Sequence, residues 1–371
     1  MDRLTWAEIN LRNYSYNFNS IKKIIGSKVK IIAVVKANAY GHGAVEIAKQ
    51  ATELGASYLG VVCMYEAKQL RAAKIKTPIL ILNYTDPASV SEALDLNLTL
   101  NVMDKEVISA LDKNAGRKNK TAKIHVKVDT GMHRAGLMLD EALRFIPTIE
   151  NYRNIRLEGI FTHLATSDER DLSFTYAQLA RFDELLAKLK EKKIVPSLIH
   201  AANSAASLRV KKAYYNMVRP GVILYGLAPS QDFKMPFTPK PVMSIKSIVI
   251  QTRIIEKGET VGYGRTFKAE IKTAVAVIPM GYADGLRRGP VNWGFVLVKG
   301  RKIPILGRVS MDQTSIDITN IPHVKTGEEV VLLGKQLNNE ITAEDIASKI
   351  GTINYEVVAG IASRVSRIYI R

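Results

Sequence analysis

Apolar and polar positions follow a repeating pattern between residues 30 and 220, where short apolar runs alternate with stretches of helical period. Strands that alternate with helices in this way are typical of a parallel sheet with crossover helices. The apolar runs predict eight strands, over residues 30–35, 58–62, 79–82, 98–102, 122–128, 157–161, 198–201 and 217–219. Eight strands indicate a closed (β/α)8 barrel of the TIM type, which places this part of the chain in the α/β class.

The helices between these strands have recognisable apolar faces and ends. The clearest spans 174–192, where Phe182, Leu185 and Leu189 recur at helical spacing. Asp104 and Asp140 are the residue type that caps helix N-termini, and we expect each to begin a helix.

After Gly226 the pattern changes, which indicates a domain boundary. Prolines at 229, 236, 239 and 241 interrupt the helical period, and alternating strand-like segments such as 244–255 follow, with one helix near 343–350. We therefore predict a barrel domain over residues 1–235 and a smaller, mostly β domain over residues 236–371.

The net charge of +18 raises the question of nucleic-acid binding, but the basic residues are scattered and their longest run spans only 209–212. We therefore expect no nucleic-acid partner. Cys63 is the single cysteine and cannot form an internal disulfide. The first residues lack the apolar core of a signal peptide, and no apolar run is long enough to span a bilayer. These features predict a cytoplasmic protein without membrane contact.

Polar residues follow several of the predicted strands, at the end of a barrel where active sites lie. They are Lys36, Lys127, Arg134, His163, Asn203, Ser204, Arg219 and Gly221. Singly, each has an ordinary explanation, such as a solvated strand end, a core histidine or an ion-pair partner. Together, cations and small residues with few acids suit an anionic aldehyde cofactor. No metal is expected, because the six histidines form no ligand-spaced cluster with cysteine.

The segment AVVKANAYGHG (residues 33–43) resembles the cofactor-lysine motif of the alanine racemases, which use pyridoxal 5'-phosphate. Further segments resemble the same family in the same order along essentially the whole chain: KVDTGMHRAG (127–136), THLATSD (162–168), HAANSAA (200–206), VRPGVILYG (218–226), VGYGRTF (261–267), PMGYADG (279–285), GRVSMDQ (307–313) and GTINYEV (351–357).

The resemblance implies an enzyme that interconverts L-alanine and D-alanine by a two-base mechanism on a pyridoxal-phosphate aldimine. Lys36 would form the Schiff base and act as base on one face of the substrate, and Tyr263 would act on the other face. His163 and Arg219 would support Tyr263, and Arg219 would face the pyridine nitrogen of the cofactor. The resemblance also implies a supply of D-alanine for peptidoglycan.

The resemblance assigns the remaining site residues as well. Cofactor-binding residues would be Lys36, Tyr40, His163, Asn203, Ser204, Arg219, Gly221, Val222 and Tyr355. Substrate would contact Arg134, Tyr282 and the backbone of Met311, and Lys127 matches a lysine that is carbamylated in some members. The family further implies a head-to-tail homodimer, in which each β domain closes the barrel of its partner.

Several other functions stay open at this point. A racemase for serine or for many amino acids would share the scaffold and differ in pocket size. A decarboxylase of the same barrel class is less expected, because such enzymes bring a cysteine in the second domain and Cys63 lies in the first. A zinc-dependent dehydratase is disfavoured by the histidine spacing. A non-catalytic pyridoxal-phosphate carrier would need Lys36 but no Tyr263.

Overall fold

The structure is a computed structural model that describes residues 4–371, and these residues form two compact units. The barrel unit contains residues 15–39 and 44–239, and the β unit contains residues 4–14, 40–43 and 240–371. In chain order the strands are β1 (Thr5–Asn10), β2 (Lys30–Val34), β3 (Tyr58–Val61), β4 (Ile79–Ile81), β5 (Leu98–Asn101), β6 (Ala122–Lys127), β7 (Ile155–Phe161), β8 (Leu198–His200), β9 (Met217–Val218), β10 (Met243–Ile248), β11 (Gln251–Ile255), β12 (Thr260–Val261), β13 (Phe267–Lys268), β14 (Thr273–Ile278), β15 (Phe295–Val298), β16 (Arg301–Leu306), β17 (Thr314–Asp317), β18 (Glu329–Gln336), β19 (Asn339–Ile341) and β20 (Ser366–Ile370).

The helical segments lie mainly between the barrel strands. They are α1 (Leu11–Ile25), α2 (Lys36–Tyr40), α3 (Ala44–Glu53), α4 (Met64–Ala72), α5 (Val90–Asp95), α6 (Lys105–Arg117), α7 (Leu139–Phe145), α8 (Ser173–Glu191), α9 (Ser204–Arg209), α10 (Ala343–Ile350) and α11 (Asn354–Ala359).

Strands β2 to β9 pair in parallel with their sequence neighbours, and β9 pairs with β2 to close the barrel. The predicted (β/α)8 barrel is therefore confirmed, and all eight predicted strands are present with ends that differ by at most two residues. Buried side chains from several strands fill the interior and make a core of Ile32, Tyr58, Leu80, Leu198 and Met217. A barrel filled by side chains is rigid, and its strand ends hold polar side chains in fixed places.

Two of the predicted helices and one of the two predicted caps are confirmed. Helix α8 buries Phe182, Leu185 and Leu189 as their spacing predicts, and α10 has the predicted bounds. Asp104 caps α6 by accepting a hydrogen bond of 2.8 Å from the Val107 amide. The prediction that Asp140 caps a helix is wrong.

Helix α7 begins one residue before Asp140, so Asp140 lies inside its first turn. An acidic side chain is favourable there because it faces the positive end of the helix dipole. The N-cap position is Met138, whose amide donates to the Glu141 carboxylate at 2.8 Å. The acidic residue therefore marks the first turn of the helix correctly, but it does not identify the N-cap residue.

The β unit is built on a ten-stranded sheet, which confirms the prediction of a mostly β part after the barrel. The strand order is β11-β14-β17-β16-β15-β18-β10-β1-β20, with β19 paired to β18. The pattern predicts no strand at Thr5–Asn10, yet β1 lies inside this sheet, antiparallel to β10 and parallel to β20. Strands β12 and β13 form a separate hairpin just before and after Tyr263.

Candidate active site

Lys36 leaves the carboxyl end of β2 and is followed by an unusual left-handed turn. Ala37, Asn38, Ala39 and Tyr40 all have φ near 52°, although none of them is glycine. The left-handed conformation costs an L-residue roughly 1–2 kcal/mol. A run of four such residues at a strand end is a costly feature that must be held by its surroundings.

Hydrogen bonds from the barrel unit hold this turn. The Ala37 amide donates to the Glu66 carboxylate at 2.6 Å, and the Asn38 side chain accepts from the Ala44 amide at 2.8 Å. Glu66 also accepts from the Val62 amide at 2.8 Å, which ties the turn to the end of the neighbouring strand β3. The chain therefore bends sharply after Lys36, and its ammonium group stays at the barrel mouth.

The predicted cations of the barrel unit lie close enough to influence one another. Burial lowers the pKa of Lys36, and the charge of Arg134 lowers it further, while Glu66 opposes the shift. Burial, followed by Arg134 and Arg219, lowers the pKa of Lys127 to about 8. Two carboxylates, Glu66 and Asp129, partly offset these four cations, and the remaining positive charge favours an anion.

Arg219 is buried and tightly held just after β9. Its guanidinium donates to the carbonyl oxygens of Thr162 at 2.7 Å, His200 at 2.9 Å and Ala201 at 3.1 Å. It also contacts His163 Nδ1 at 3.2 Å. Burial, followed by the charge of Arg219, lowers the pKa of His163 well below its ordinary value, so His163 is neutral. Burial also lowers the pKa of Arg219, but a guanidinium starts so high that it stays protonated at neutral pH.

The predicted phosphate-binding residues of the barrel unit converge beside α9. The Ser204 hydroxyl accepts from the Gly221 amide at 2.9 Å, and Val222 is buried as the first residue of a short 3₁₀ turn. Asn203 caps α9 through a bond of 3.0 Å from the Ala206 amide. Its side-chain oxygen also accepts a hydrogen bond of 2.8 Å from the Ser167 hydroxyl, so Asn203 connects α9 to the loop that follows β7.

In the β unit, Tyr40 and Tyr355 lie side by side, with ring centroids 6.2 Å apart. Burial raises the pKa of Tyr40, so its phenol keeps its proton at neutral pH. The loop that carries Tyr40 needs glycine next to it, because a Cβ on Gly41 would lie 2.1 Å from the Val358 carbonyl oxygen. Gly41 also has φ of +83°, a region that L-residues rarely adopt.

Three further predicted residues form an exposed group on the β unit. Tyr263, Tyr282 and Met311 expose 66%, 41% and 52% of their surface, respectively. The Arg288 guanidinium carbon lies 5.8 Å from the ring centroid of Tyr263 and 5.9 Å from that of Tyr282. Tyr282 and Met311 belong to adjacent segments, joined by the hydrogen bond of 3.1 Å from the Ala283 amide to the Met311 carbonyl.

The structure also identifies residues that the sequence analysis does not single out. Glu66 holds the turn after Lys36, and Arg288 provides a positive charge beside Tyr263. His200 contacts Arg219 Nη1 at 2.8 Å through its Nδ1 atom. Of these three residues, only His200 could have been noticed in the sequence, because a histidine at the end of an apolar barrel strand is unusual. Glu66 and Arg288 are ordinary surface residue types in helical and loop sequence.

Within residues 4–371, no group of three or more His, Cys, Asp or Glu side chains is arranged to hold a metal ion. Over the same range, the structure contains no helix with both the length and the apolar character that crossing a membrane requires.

Comparison with known proteins covers both units. A family model described as "Alanine racemase, N-terminal domain" matches residues 9–229, and one described as "Alanine racemase, C-terminal domain" matches residues 242–369. The chain is 44% identical over 369 residues to alanine racemase 2 of Caldanaerobacter subterraneus subsp. tengcongensis, across 99% of this chain and 95% of that protein.

Solved structures agree with this match over the full length. An alanine racemase of Clostridium difficile 630 has a TM-score of 0.95 at 38% identity and covers 99% of this chain and 95% of its own. A histidine racemase of Leuconostoc mesenteroides subsp. sake has a TM-score of 0.92 at 29% identity and covers 100% of this chain and 98% of its own. The scaffold is therefore similar to racemases with different named substrates.

Proposed function

The chain belongs to the alanine racemase family, a family of pyridoxal-phosphate-dependent racemases, and from this premise we propose that it interconverts L-alanine and D-alanine. The observation that carries the proposal is the group of Lys36, Lys127, Arg134 and Arg219 at the mouth of the barrel. An anionic cofactor and the carboxylate of an amino acid would offset this positive charge. We further propose that the product D-alanine is used for peptidoglycan synthesis.

Pyridoxal 5'-phosphate is the cofactor that we propose for this site, and it supplies an electron sink that makes the α-proton of an amino acid removable. Lys36 would bind it covalently. Ser204 and the backbone of Gly221 and Val222 would hold its phosphate, because small residues and backbone amides converge there. From the family resemblance, Tyr40 and Tyr355 would contribute to the same phosphate site, and His163 and Asn203 would order the surrounding loops.

Arg219 would face the ring nitrogen of the cofactor. A guanidinium donates hydrogen bonds but does not readily give up its proton, so the ring nitrogen would stay unprotonated beside it. Less of the negative charge left by the α-proton would then move into the ring. Return of a proton to the α-carbon would therefore be favoured over side reactions such as transamination. This preference suits a racemase.

Two residues would exchange protons with opposite faces of the α-carbon. Lys36 is suited to this role because its lowered pKa gives a larger share of neutral amine at neutral pH. Tyr263 would be the second base, and a cationic neighbour would stabilise the phenolate that this role requires. Arg288 is such a neighbour. Arg134 and the loops that carry Tyr282 and Met311 would bind the substrate carboxylate.

We propose a homodimer in which the β unit of one subunit closes the barrel mouth of the other. The support is the exposure of Tyr263, Tyr282 and Met311, whose predicted roles all require contact with substrate. The head-to-tail arrangement implied by the family would cover these side chains and complete two active sites at once.

Mixing two inactive chains should therefore restore activity. A Lys36→Ala chain refolded with an equal amount of a Tyr263→Phe chain should regain about a quarter of the wild-type rate. About half of the dimers would be mixed, and each of these would hold one intact site of two. Polarimetry with L-alanine measures the recovered rate, and each variant refolded alone is the control. Absence of recovery in a mixture that gel filtration shows to be dimeric would contradict shared sites.

Lys127 is proposed to carry a carbamate. The neutral amine would attack CO₂, form a C–N bond and release one proton to solvent. A pKa of about 8 makes the neutral amine common at a pH roughly two units lower than for an ordinary lysine. The resulting anion would lie among Arg134, Arg219 and Lys36, where it would offset their positive charge.

Carbamate formation should appear as a ¹³C NMR signal after incubation with ¹³C-labelled bicarbonate at pH 8, and Lys127→Ala should remove that signal. Lys188→Ala is the matched control, because Lys188 is exposed and the hydrogen bond that it donates to Glu184 raises its pKa. A signal that survives Lys127→Ala, or no signal at all in the wild type, would show that Lys127 is unmodified.

The substrate range distinguishes alanine racemase from the other candidates. Purified, cofactor-loaded protein would be offered L-alanine, L-serine and L-histidine separately, and the enantiomers resolved by chiral chromatography. We expect kcat/KM for alanine to exceed that for either larger substrate by about tenfold or more, which is the range of selectivity that a pocket contact provides. Equal rates would favour a broad-specificity racemase. Cofactor binding without conversion of any substrate would favour a carrier protein.

A further inference from the structure

A line of polar side chains runs through the otherwise apolar interior of the barrel, away from the mouth. It begins at Arg219 and continues through His200 at the end of β8 and His125 on β6 to Glu158 on β7. All four residues are buried, and both imidazoles are completely inaccessible to solvent. Buried polar groups carry a cost unless they are paired, so such a line calls for an explanation.

The contacts link these residues in sequence. Arg219 Nη1 lies 2.8 Å from His200 Nδ1, and His200 Nε2 lies 2.8 Å from His125 Nδ1. His125 Nε2 is buried, and among the described residues the Glu158 carboxylate is the acceptor that it faces, at 3.5 Å, a separation longer than that of an ordinary hydrogen bond. Glu158 also accepts a hydrogen bond from Tyr58 and forms an ion pair of 3.0 Å with Lys123.

The donor at one end determines every proton position along the line. A guanidinium can only donate, so His200 Nδ1 must be the acceptor and the proton of this ring lies on Nε2. His200 Nε2 then donates to His125 Nδ1, which leaves the proton of His125 on Nε2, directed at Glu158. Both imidazoles therefore point in the same sense, from the cation to the carboxylate.

The charges agree with this assignment. Burial, followed by the charge of Arg219, lowers the pKa of His200 well below its ordinary value, and burial also lowers the pKa of His125. Although burial opposes its ionisation, the neighbouring donor groups of His125, Tyr58 and Lys123 lower the pKa of Glu158 to about 2. Two neutral, oriented imidazoles thus connect a buried cation to a buried anion, and each polarises the next.

The backbone is adapted to bring Glu158 and His125 together. In the pairing of β6 with β7, Ile124 is opposite Leu157 but His125 is opposite Gly159, so Glu158 is an extra residue in its strand. A bulge of this kind redirects a side chain. Gly159 leaves room for the His125 ring, because a Cβ there would lie 2.6 Å from His125 Nδ1 and Cε1. The Phe161 ring stacks on His200 at 4.8 Å and fixes its plane.

We infer that Glu158, acting through His125 and His200, is a positioning residue for Arg219. The line, which we call the Glu158 relay, connects Arg219 through two neutral imidazoles to a carboxylate that Glu158 shares with Lys123, and it keeps that negative charge away from the barrel mouth. A carboxylate in direct contact with Arg219 would compete with the cofactor for its donors, and the relay avoids this. The catalytic part of this inference rests on the proposed function, whereas the proton positions do not.

The first test observes the relay directly by ¹⁵N NMR of histidine-labelled, cofactor-loaded protein before any substrate is added. We expect both His125 and His200 to carry their proton on Nε2. Glu158→Gln should shift the ring signals of His200, which Glu158 does not contact. Glu184→Gln, which removes the same charge from an exposed ion pair on α8, should leave them unchanged. Unchanged His200 signals in Glu158→Gln, or a proton on Nδ1 of either ring in the wild type, would overturn the inference.

The second test asks whether the effect on catalysis passes through Arg219. Glu158→Gln should lower kcat about tenfold and change KM for alanine by less than about twofold, because the substrate contacts are intact. In an Arg219→Lys background the same substitution should change kcat by less than about twofold. Effects that multiply in the double variant would show that Glu158 does not act through Arg219, which would overturn the inference.

Gly159→Ala offers a variant that keeps every charge, since the added methyl group displaces only the His125 ring. It should reproduce the His200 signal shift and the loss of kcat seen with Glu158→Gln. If Gly159→Ala does not fold, Tyr58→Phe gives the comparison instead, because it leaves the carboxylate and should produce a smaller shift. A wild type that does not racemise alanine would refute the proposed function, while the NMR result would still decide the relay.

Discussion

Replacing Lys36 with alanine should lower the rate of alanine racemisation by a factor on the order of 10⁴ or more. The substitution removes both the group proposed to bind the cofactor covalently and the base on one face of the substrate, and each loss alone is large. The rate is measured by polarimetry with L-alanine, and covalent attachment of the cofactor by mass analysis after borohydride reduction.

Lys30→Ala is the matched control for this variant. Lys30 begins strand β2, which Lys36 directly follows, but lies exposed at the opposite end of the strand. It should retain the wild-type rate and the reduced covalent adduct. Retention of the adduct in Lys36→Ala would mean that a different lysine binds the cofactor and that Lys36 has been assigned the wrong role.

Tyr263→Phe should lower racemisation roughly 10³-fold while leaving one partial reaction intact. The variant keeps Lys36, so the α-proton of one alanine enantiomer should still exchange with solvent, but without inversion. Proton NMR in heavy water follows this exchange for L-alanine and D-alanine separately. A difference between L-alanine and D-alanine in the exchange rate is expected because the two bases act on opposite faces of the substrate. A structural defect would instead reduce the exchange of both enantiomers equally.

Tyr65→Phe is the control, since Tyr65 is 77% exposed on the barrel unit and has no proposed role. Its exchange and racemisation rates should equal those of the wild type. If Tyr263→Phe retained full racemisation, or lost exchange of both enantiomers to the same degree, Tyr263 would not be the second base.

The barrel could be predicted from the sequence because its strands are fully buried. Buried parallel strands appear as short apolar runs, and each predicted run corresponds to a strand. The same reasoning does not find β1, because Thr5–Asn10 has a mixed composition and its place between β10 and β20 depends on partners more than 200 residues away. Local pattern contains no information about such distant pairing.

The turn after Lys36 illustrates a second limit. Asn38 is a residue type that occasionally adopts the left-handed conformation, but Ala37 and Ala39 are not, so the sequence does not predict a run of such residues. The turn is held by hydrogen bonds that the Ala37 amide donates to Glu66 and the Ala44 amide donates to Asn38, and in each bond the two residues are apart in sequence. A strained segment that the surroundings stabilise is typical of functional sites, and local propensity cannot reveal it.

Prediction of the site residues required the family resemblance more in the β unit than in the barrel unit. Strand ends alone identify Lys36, Lys127 and Arg219 as neighbours, because the barrel places them at one mouth. Tyr263 is one of 15 tyrosines and lies in a short loop, so only the motif around it selects it. The Glu158 relay could not be predicted either, since it depends on a bulge that shifts register by one residue.

The central claim is that the protein racemises alanine by removing and returning the α-proton. The most direct test incubates purified, cofactor-loaded protein with L-alanine in heavy water and follows optical activity and the α-proton signal together. We expect optical activity to decay to zero as the α-proton is replaced by deuterium. An optical activity and an α-proton signal that both persist, while the cofactor is bound, would contradict the assignment of this protein as an alanine racemase.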